Sequence, residues 1–126
     1  MIFGIGTDIV QIERIARLHE RFGARFAERL LLPQEEEAFA GHRQPVRFLA
    51  MRFAAKEAIV KAMGTGFAQG MWIRDTGIVR NALGKPEIVW SERGRALCAQ
   101  LGIGEGHITL SDEAGFVVAV AILMKK

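Results

Sequence analysis

Two rhythms of apolar residues run along the chain. Ile2 to Val10 is rich in β-branched residues, broken only by Gly4 and Gly6, and predicts a buried strand ending near Thr7-Asp8. Ile12, Ile15, Leu18 and Phe22 then recur at helical spacing, which predicts a helix over Ile12–Phe22 stopped by Gly23. Pro33 followed by Glu35, Glu36 and Glu37 marks a helix start and predicts a short helix to about Gly41. The strongest helical segment opens at Gln44-Pro45 and runs to Met63, with Val46, Leu49, Phe53, Ile59 and Val60 as its apolar positions and Gly64 as its stop. The second half reads differently. Met71–Val79 and Pro86–Trp90 predict strands joined by a turn at Asn81–Lys85. Ser91 caps a helix to Leu101, and Gly102–Gly106 reads as a glycine-rich loop. His107–Leu110 and Phe116–Leu123 pair as a hairpin across Asp112–Gly115. Helices and strands mix without a βαβ rhythm, so the fold class is α+β, one domain over residues 1–126.

Composition narrows the setting. Half of the 126 residues are apolar and a quarter are charged, the balance of a folded domain. The one cysteine, Cys98, excludes an internal disulfide framework and is expected to pack in the core, which fits a reduced, cytoplasmic protein. The N-terminus lacks the basic and apolar regions of a signal peptide, and no apolar run reaches the ~20 residues of a membrane span. Phe116–Met124 instead predicts a strand covered on both faces. Net charge is +3, which favours anionic partners. No Lys/Arg block occurs and aromatics do not interleave with basic residues, so nucleic acid is not the expected partner.

Asp8, Glu57 and Lys61 stand out by position. Each has a plain structural role: Asp8 as a helix N-cap, Glu57 and Lys61 as a solvated pair four residues apart. The chemical reading rests on what magnesium requires. It takes oxygen ligands, keeps several waters and is commonly held by one or two carboxylates plus substrate phosphates. Asp8 and Glu57 can form such a shell, and Lys61 can neutralise a phosphate one turn away. Gly64-Thr65-Gly66 ends the helix and can either cap it or let a ligand approach the backbone. It lacks the Gly-Lys-Ser/Thr element of a phosphate-binding loop of the Walker kind. His19, His42 and His107 lack metal spacing. A non-enzymatic basic module and another magnesium enzyme acting on nucleotides are the competing readings.

Taken together, several segments resemble the bacterial holo-acyl-carrier-protein synthases, of the 4'-phosphopantetheinyl transferase type. They are Gly4-Ile5-Gly6-Thr7-Asp8-Ile9-Val10, Arg47 to Ala58 with its Arg52-Phe53-Ala54-Ala55-Lys56-Glu57-Ala58, and Lys61-Ala62-Met63-Gly64-Thr65-Gly66. Asn81 with Gly84-Lys85-Pro86 and His107 to Glu113 follow in family order. The resemblance implies a mostly antiparallel sheet packed against helices, and transfer of phosphopantetheine from coenzyme A to a serine of acyl carrier protein in fatty acid biosynthesis. It implies Asp8 and Glu57 as Mg2+ ligands and Lys61 as the charge on the transferred group or leaving phosphate. The serine proton goes to Glu57 or to a metal-bound water, which the residues leave open. Coenzyme A contacts are implied at Arg52, Lys61, Gly64, Thr65, Gly66, Lys85, Pro86 and Thr109, and carrier docking at Arg14 and Arg21. A homotrimer with active sites between subunits is implied as well. Many members carry a Ser-His pair where this chain reads Ser111-Asp112, so no histidine–phosphate contact carries over, and His107 does not occupy that position.

Overall fold

The computed structural model describes every residue from Met1 to Lys126. The chain runs β1 (Ile2–Gln11), α1 (Ile12–Phe22), α2 (Ala24–Leu30), α3 (Pro33–Phe39), α4 (Pro45–Met63), a 3-10 turn (Ile73–Asp75), β2 (Thr76–Arg80), β3 (Pro86–Trp90), α5 (Glu92–Leu101), β4 (Ile103–Glu113) and β5 (Phe116–Lys125). One antiparallel sheet has the order β1-β5-β4, and β2 and β3 form a separate antiparallel pair. The α+β class and the antiparallel sheet are as the sequence indicated.

Helix α4 is the axis of the molecule. It packs along β1 and β5 on one side and against α1, α2 and β2 on others. Its apolar residues go most of the way round, and Leu49, Ala54, Ala55, Ala58 and Ile59 are fully buried, as a central helix requires. Gly64, in the left-handed conformation at φ 82°, closes it. Strand β1 lies directly on α4 through Gly4 and Gly6. A Cβ on Gly4 would fall on the Ala62 carbonyl oxygen, and one on Gly6 on that of Ala58. No other residue type allows strand and helix to come so close.

A buried charge cluster ties the second half to α4. Glu35 of α3 has no exposed surface, and Lys56 of α4 has none either. Lys56 Nζ lies 2.9 Å from Glu35 Oε1 and donates to the carbonyls of Ile73 and Thr76. Glu35 accepts from the Leu32 and Ile78 amides at 3.0 and 3.1 Å. The buried ions are therefore paired and hydrogen-bonded, as low-dielectric burial demands.

Three expectations need correction, and one helix was not predicted. Strand β1 does not end at Thr7-Asp8 but continues to Gln11, because its β5 partners continue to Phe116. Met71–Val79 is not one strand: the Asp75 side chain accepts from the Trp72 amide, folds Ile73–Asp75 into a 3-10 turn, and leaves β2 to begin at Thr76. Gly102–Gly106 is not a loop. Gly102 caps α5, and Ile103 already opens β4, whose register shifts before Gly106. The α2 helix, unpredicted, fills the segment between Gly23 and Pro33 and buries only Ala27 and Leu30. Within the single chain, β5 is covered on one face. Val117, Ala119, Ala121 and Leu123 are fully buried, whereas Val118, Val120 and Ile122 on the other face are half-buried.

Candidate active site

The close β1–α4 approach sets the site. Asp8 is in the body of β1, opposite Ala119, on the sheet face that meets α4. It caps no helix; Gln11 precedes α1. Glu57 and Lys61 rise from the adjoining face of α4, one turn apart. Lys61 Nζ donates to Asp8 Oδ1 at 3.1 Å and to the Thr7 carbonyl at 3.0 Å. Its partner is thus Asp8 across the interface, not Glu57 along its own helix. Two carboxylates and one ammonium from distant segments converge at one edge of the sheet.

Glu57 sits at an electrostatic disadvantage. Partial burial pushes its carboxyl above the ordinary range and the Asp8 charge pushes it further, while Lys61 and Arg14 pull it back. A pair of repelling, partly buried carboxylates is a donor set a hard divalent cation suits. Lys61 already supplies one positive charge there through its contact with Asp8. No third His, Cys, Asp or Glu joins them. The residues therefore fit magnesium, which takes few protein ligands, and not a closed structural zinc site.

The remaining sequence-predicted residues lie elsewhere. Gly64, Thr65 and Gly66 end α4, beginning three residues after Lys61; Thr65 is buried, and Gly66 takes φ 57°. Arg52 is not beside the carboxylates. Five residues before Glu57, it stands roughly 140° round the helix at ~100° per residue. It is 4% exposed, with its guanidinium 4.1 Å from the Phe48 ring centroid and Nε 3.3 Å from Glu35 Oε2. That nitrogen makes no hydrogen bond. Burial lowers the Arg52 pKa to about 10, against the pull of Glu35 and with the push of Arg80. Arg52 borders a groove of about 540 Å³ whose wall also carries Arg47, Arg80, His42, Gln34 and Glu37. Lys85 and Pro86 border another groove, of about 430 Å³, which His107 also lines. Thr109 is exposed on the outer face of the sheet, in a row with Thr7 and Val120. Arg14 and Arg21 are exposed on α1, and Arg14 is close enough to Glu57 to lower its pKa. Cys98 is buried and its thiol pushed up to about 11, which suits packing and not nucleophilic chemistry.

Sequence reasoning missed Arg47 and Asp112 as partners. Arg47 of α4 grips Asp112 at the end of β4 through two hydrogen bonds, Nε–Oδ2 at 2.7 Å and Nη2–Oδ1 at 2.9 Å. Sixty-five residues separate them, so no local spacing signals the pair. Glu35 was also unassigned; its place in an acidic helix start resembles a solvated dipole partner.

The 4'-phosphopantetheinyl transferase superfamily model matches residues 4–121, and the chain belongs to that superfamily. Within it, similarity points to one activity class. The holo-[acyl-carrier-protein] synthase of Yersinia enterocolitica is 45% identical over 122 residues, 97% of each chain. The crystal structure of the Neisseria meningitidis holo-[acyl-carrier-protein] synthase superposes with a TM-score of 0.94 at 44% identity, covering 99% of this chain and all of that one. The Helicobacter pylori synthase in complex with coenzyme A matches at TM-score 0.82 and 31% identity, over 94% of this chain and 98% of that one.

The strain on Glu57 has a measurable consequence. A carboxyl held above its ordinary value of 4.5 keeps its proton longer in the folded chain than in the unfolded one. The folded state then binds more protons as pH rises through that window, and stability falls across it. Glu57→Gln removes the loss. In chelator, urea unfolding should show the variant gaining stability over the parent between about pH 4 and pH 7. An equal difference at both pH values would contradict the disfavoured carboxylate.

Proposed function

We propose that this chain transfers the 4'-phosphopantetheine group of coenzyme A to a serine of apo-acyl carrier protein. Holo-carrier and adenosine 3',5'-bisphosphate are the products, and the reaction serves fatty acid biosynthesis in the cytoplasm. Residues 1–126 act as one transferase domain. The observation that carries the reading is the convergence of Asp8, Glu57 and Lys61 across the β1–α4 contact. It occurs in a chain 45% identical to a holo-[acyl-carrier-protein] synthase.

The chemistry is a displacement at phosphorus. The serine oxygen forms a bond to the β-phosphorus, the pyrophosphate bond breaks, and its bridging oxygen leaves on the nucleotide. Such a reaction needs positioning and charge more than covalent help. Asp8 and Glu57 would hold a magnesium ion, which when bound supplies positive charge beside the pyrophosphate. Lys61, poised on Asp8, is placed to exchange that contact for a phosphate oxygen. Gly64, Thr65 and Gly66 give the substrate a close backbone wall next to Lys61. Arg52 faces the nucleotide end in its groove, because Glu35 is shared with Lys56 and leaves the Arg52 charge only partly offset, which favours an anion there. No helix is long and apolar enough to cross a membrane.

Coenzyme A contacts on separate faces of one chain argue for sites shared between subunits. Lys85, Pro86 and Thr109 do not adjoin the carboxylates within the chain, but a neighbour can bring them there. The outer sheet face supports such a neighbour. Ile5 and Ile9 are 60% and 62% exposed, and their cross-strand partners Ile122 and Val118 extend the apolar surface. Covering it favours self-association; three copies follow from the family resemblance. The carrier docks on α1. Carrier proteins of this class are acidic, Arg14 and Arg21 are exposed there, and Arg14 lies near Glu57.

Mixing the protein with coenzyme A, magnesium and apo-carrier should add one phosphopantetheine mass to the carrier. Asp8→Ala and Glu57→Ala should each abolish that gain while circular dichroism stays unchanged; near-normal turnover in either folded variant would sink the metal assignment. Light scattering at micromolar protein should give a trimer, and Ile9→Lys should dissociate it with loss of activity. A monomer with full activity refutes the shared site. Reversing Arg14 and Arg21 to Glu should raise the carrier KM and leave the coenzyme A KM nearly unchanged, since exposed charges steer encounter. The wild-type carrier KM should climb with salt more steeply than the variant's. Normal carrier kinetics at low salt would move the docking surface elsewhere.

A further inference from the structure

Thr65 and Met71 are buried, but the residues that join them are not. Gly66 is half-buried, and Phe67, Ala68, Gln69 and Gly70 are exposed. The shape of this loop therefore does not come from a core of its own. A tight turn makes its outer bend. The Met71 amide donates to the Ala68 carbonyl at 3.0 Å, and both central residues have positive φ, Gln69 at 55° and Gly70 at 89°. That is the sign pattern of a type I′ turn, whose central places go mostly to glycine, asparagine and aspartate. Glutamine has a Cβ and no short polar arm to bond its own backbone, so the conformation is uphill for it.

The hold comes from α5. Arg93, in its first turn, donates from Nη2 to the Gly70 carbonyl at 2.8 Å. The same guanidinium lies over the Trp72 ring, 4.6 Å from the centroid. Trp72 is 65% exposed, yet its backbone is fixed: the amide donates to Asp75 Oδ2 at 2.9 Å, and Asp75 Oδ1 accepts from the Ser91 hydroxyl at 2.7 Å. Ser91 is the cap of α5. The exposed indole is thus a flat platform that sets the plane of the guanidinium. Helix α5 grips the chain on both sides of Met71, by a side chain on Gly70 and through Asp75 on Trp72.

We propose that Arg93 is a positioning residue, which clamps the Ala68–Met71 turn from α5 and thereby holds Gly64-Thr65-Gly66 in the shape that receives coenzyme A. The inference rests on the reading above that this segment is a wall of the coenzyme A site. Only Phe67 separates Gly66 from the turn, so little chain is available to absorb a change there. Without the clamp, Gln69 returns to negative φ and the Gly70 carbonyl swings away. Gly66 is the joint that yields, since it has no Cβ and nothing within 4 Å of where one would stand. Its amide bond to the Val60 carbonyl, 3.2 Å long, finishes the helix end beside Lys61 and is lost in that movement.

Calorimetric titration of the assembled protein with coenzyme A reads the wall without turnover, and the carrier KM at saturating coenzyme A reads the rest of the site. Arg93→Ala should weaken coenzyme A about fivefold, as expected when a strained turn leaves only a fraction of the molecules competent. Carrier KM and circular dichroism should stay nearly unchanged. Arg93→Lys keeps the donor and the charge but not the planar stack, and should recover part of the loss. Gln69→Gly should change little alone and should restore coenzyme A affinity in the Arg93→Ala background, because glycine takes positive φ without a clamp. A residue that touched the ligand directly could not be rescued in that way. Normal coenzyme A binding in Arg93→Ala, no rescue by Gln69→Gly, or an equal loss toward the carrier would overturn the inference. Gly66→Ala separates the clamp from the wall. Its Cβ meets open space but its φ is disfavoured, so it disturbs the wall itself. If it weakens coenzyme A and Arg93→Ala does not, the wall stands and the clamp falls. If neither variant changes binding, the segment does not meet coenzyme A and both fall.

Discussion

Everything in the candidate site depends on how closely β1 rests on α4. Glycine at positions 4 and 6 removes the side chains that would otherwise strike the helix carbonyls of Ala62 and Ala58. With ordinary residues there, the strand would have to move off the helix. Asp8, next on the same strand face, would then recede from Lys61, whose ammonium it now meets at 3.1 Å. The glycines thus act at a distance of two and four residues, by setting the separation of the elements that bear the chemistry. Alanine on the facing side of α4, at 54, 55, 58 and 62, completes the close fit. Small residues on both sides of one contact make two acidic groups from distant parts of the chain into neighbours.

The second constraint is electrostatic. One buried carboxylate, Glu35, serves Lys56 and lies close to Arg52, so the cluster holds a surplus of positive charge in a low-dielectric place. Burial lowers the pKa of both cations, and Glu35 counters it. Gly77 is needed in the same spot: a Cβ there would lie 2.5 Å from the Glu35 carboxylate. Breaking such a cluster by removing its acid costs more than the pair contributes, because a charge is left unpaired. The cluster fastens α3, α4 and β2 together, and it leaves Arg52 as the member whose charge is least satisfied. Structural pairing and anion attraction are here two consequences of one imbalance.

The legible parts of this protein were those governed by local rules. The α4 helix was readable from Pro45, its apolar spacing and Gly64, and the structure runs from Pro45 to Met63. Ser91 reads as a cap, and its hydroxyl accepts from the Gly94 amide. What was not legible depended on contacts between distant residues. Helix α2 buries two residues and offers little periodicity to detect. Gly102–Gly106 looks like a loop by composition, yet β5 continues past it and recruits Ile103 and Gly106 as partners. Asp8, Glu57 and Lys61 could be named from the sequence by resemblance. That Lys61 joins Asp8 and not Glu57 needed the fold. The Arg47–Asp112 fork and the buried Glu35 lay beyond pattern reading, because each partner looks like an ordinary surface charge in its own segment.

The distribution of contacts around α4 explains why a chain this small need not hold a complete centre. A single helix presents Glu57 and Lys61 on one side and Arg52 on another, roughly 140° apart. No ligand the size of a nucleotide can reach both sides around the helix it would have to wrap. A chain carrying both sets is therefore organised as two halves that face outward in different directions. The open sheet face, with Ile5 and Ile9 exposed, is an apolar surface that self-association would cover. Under the proposed shared site, apolar cover and catalytic completion would come from the same contact. A copy that failed to assemble would then keep its carboxylates and its arginine groove without bringing them to the same substrate molecule.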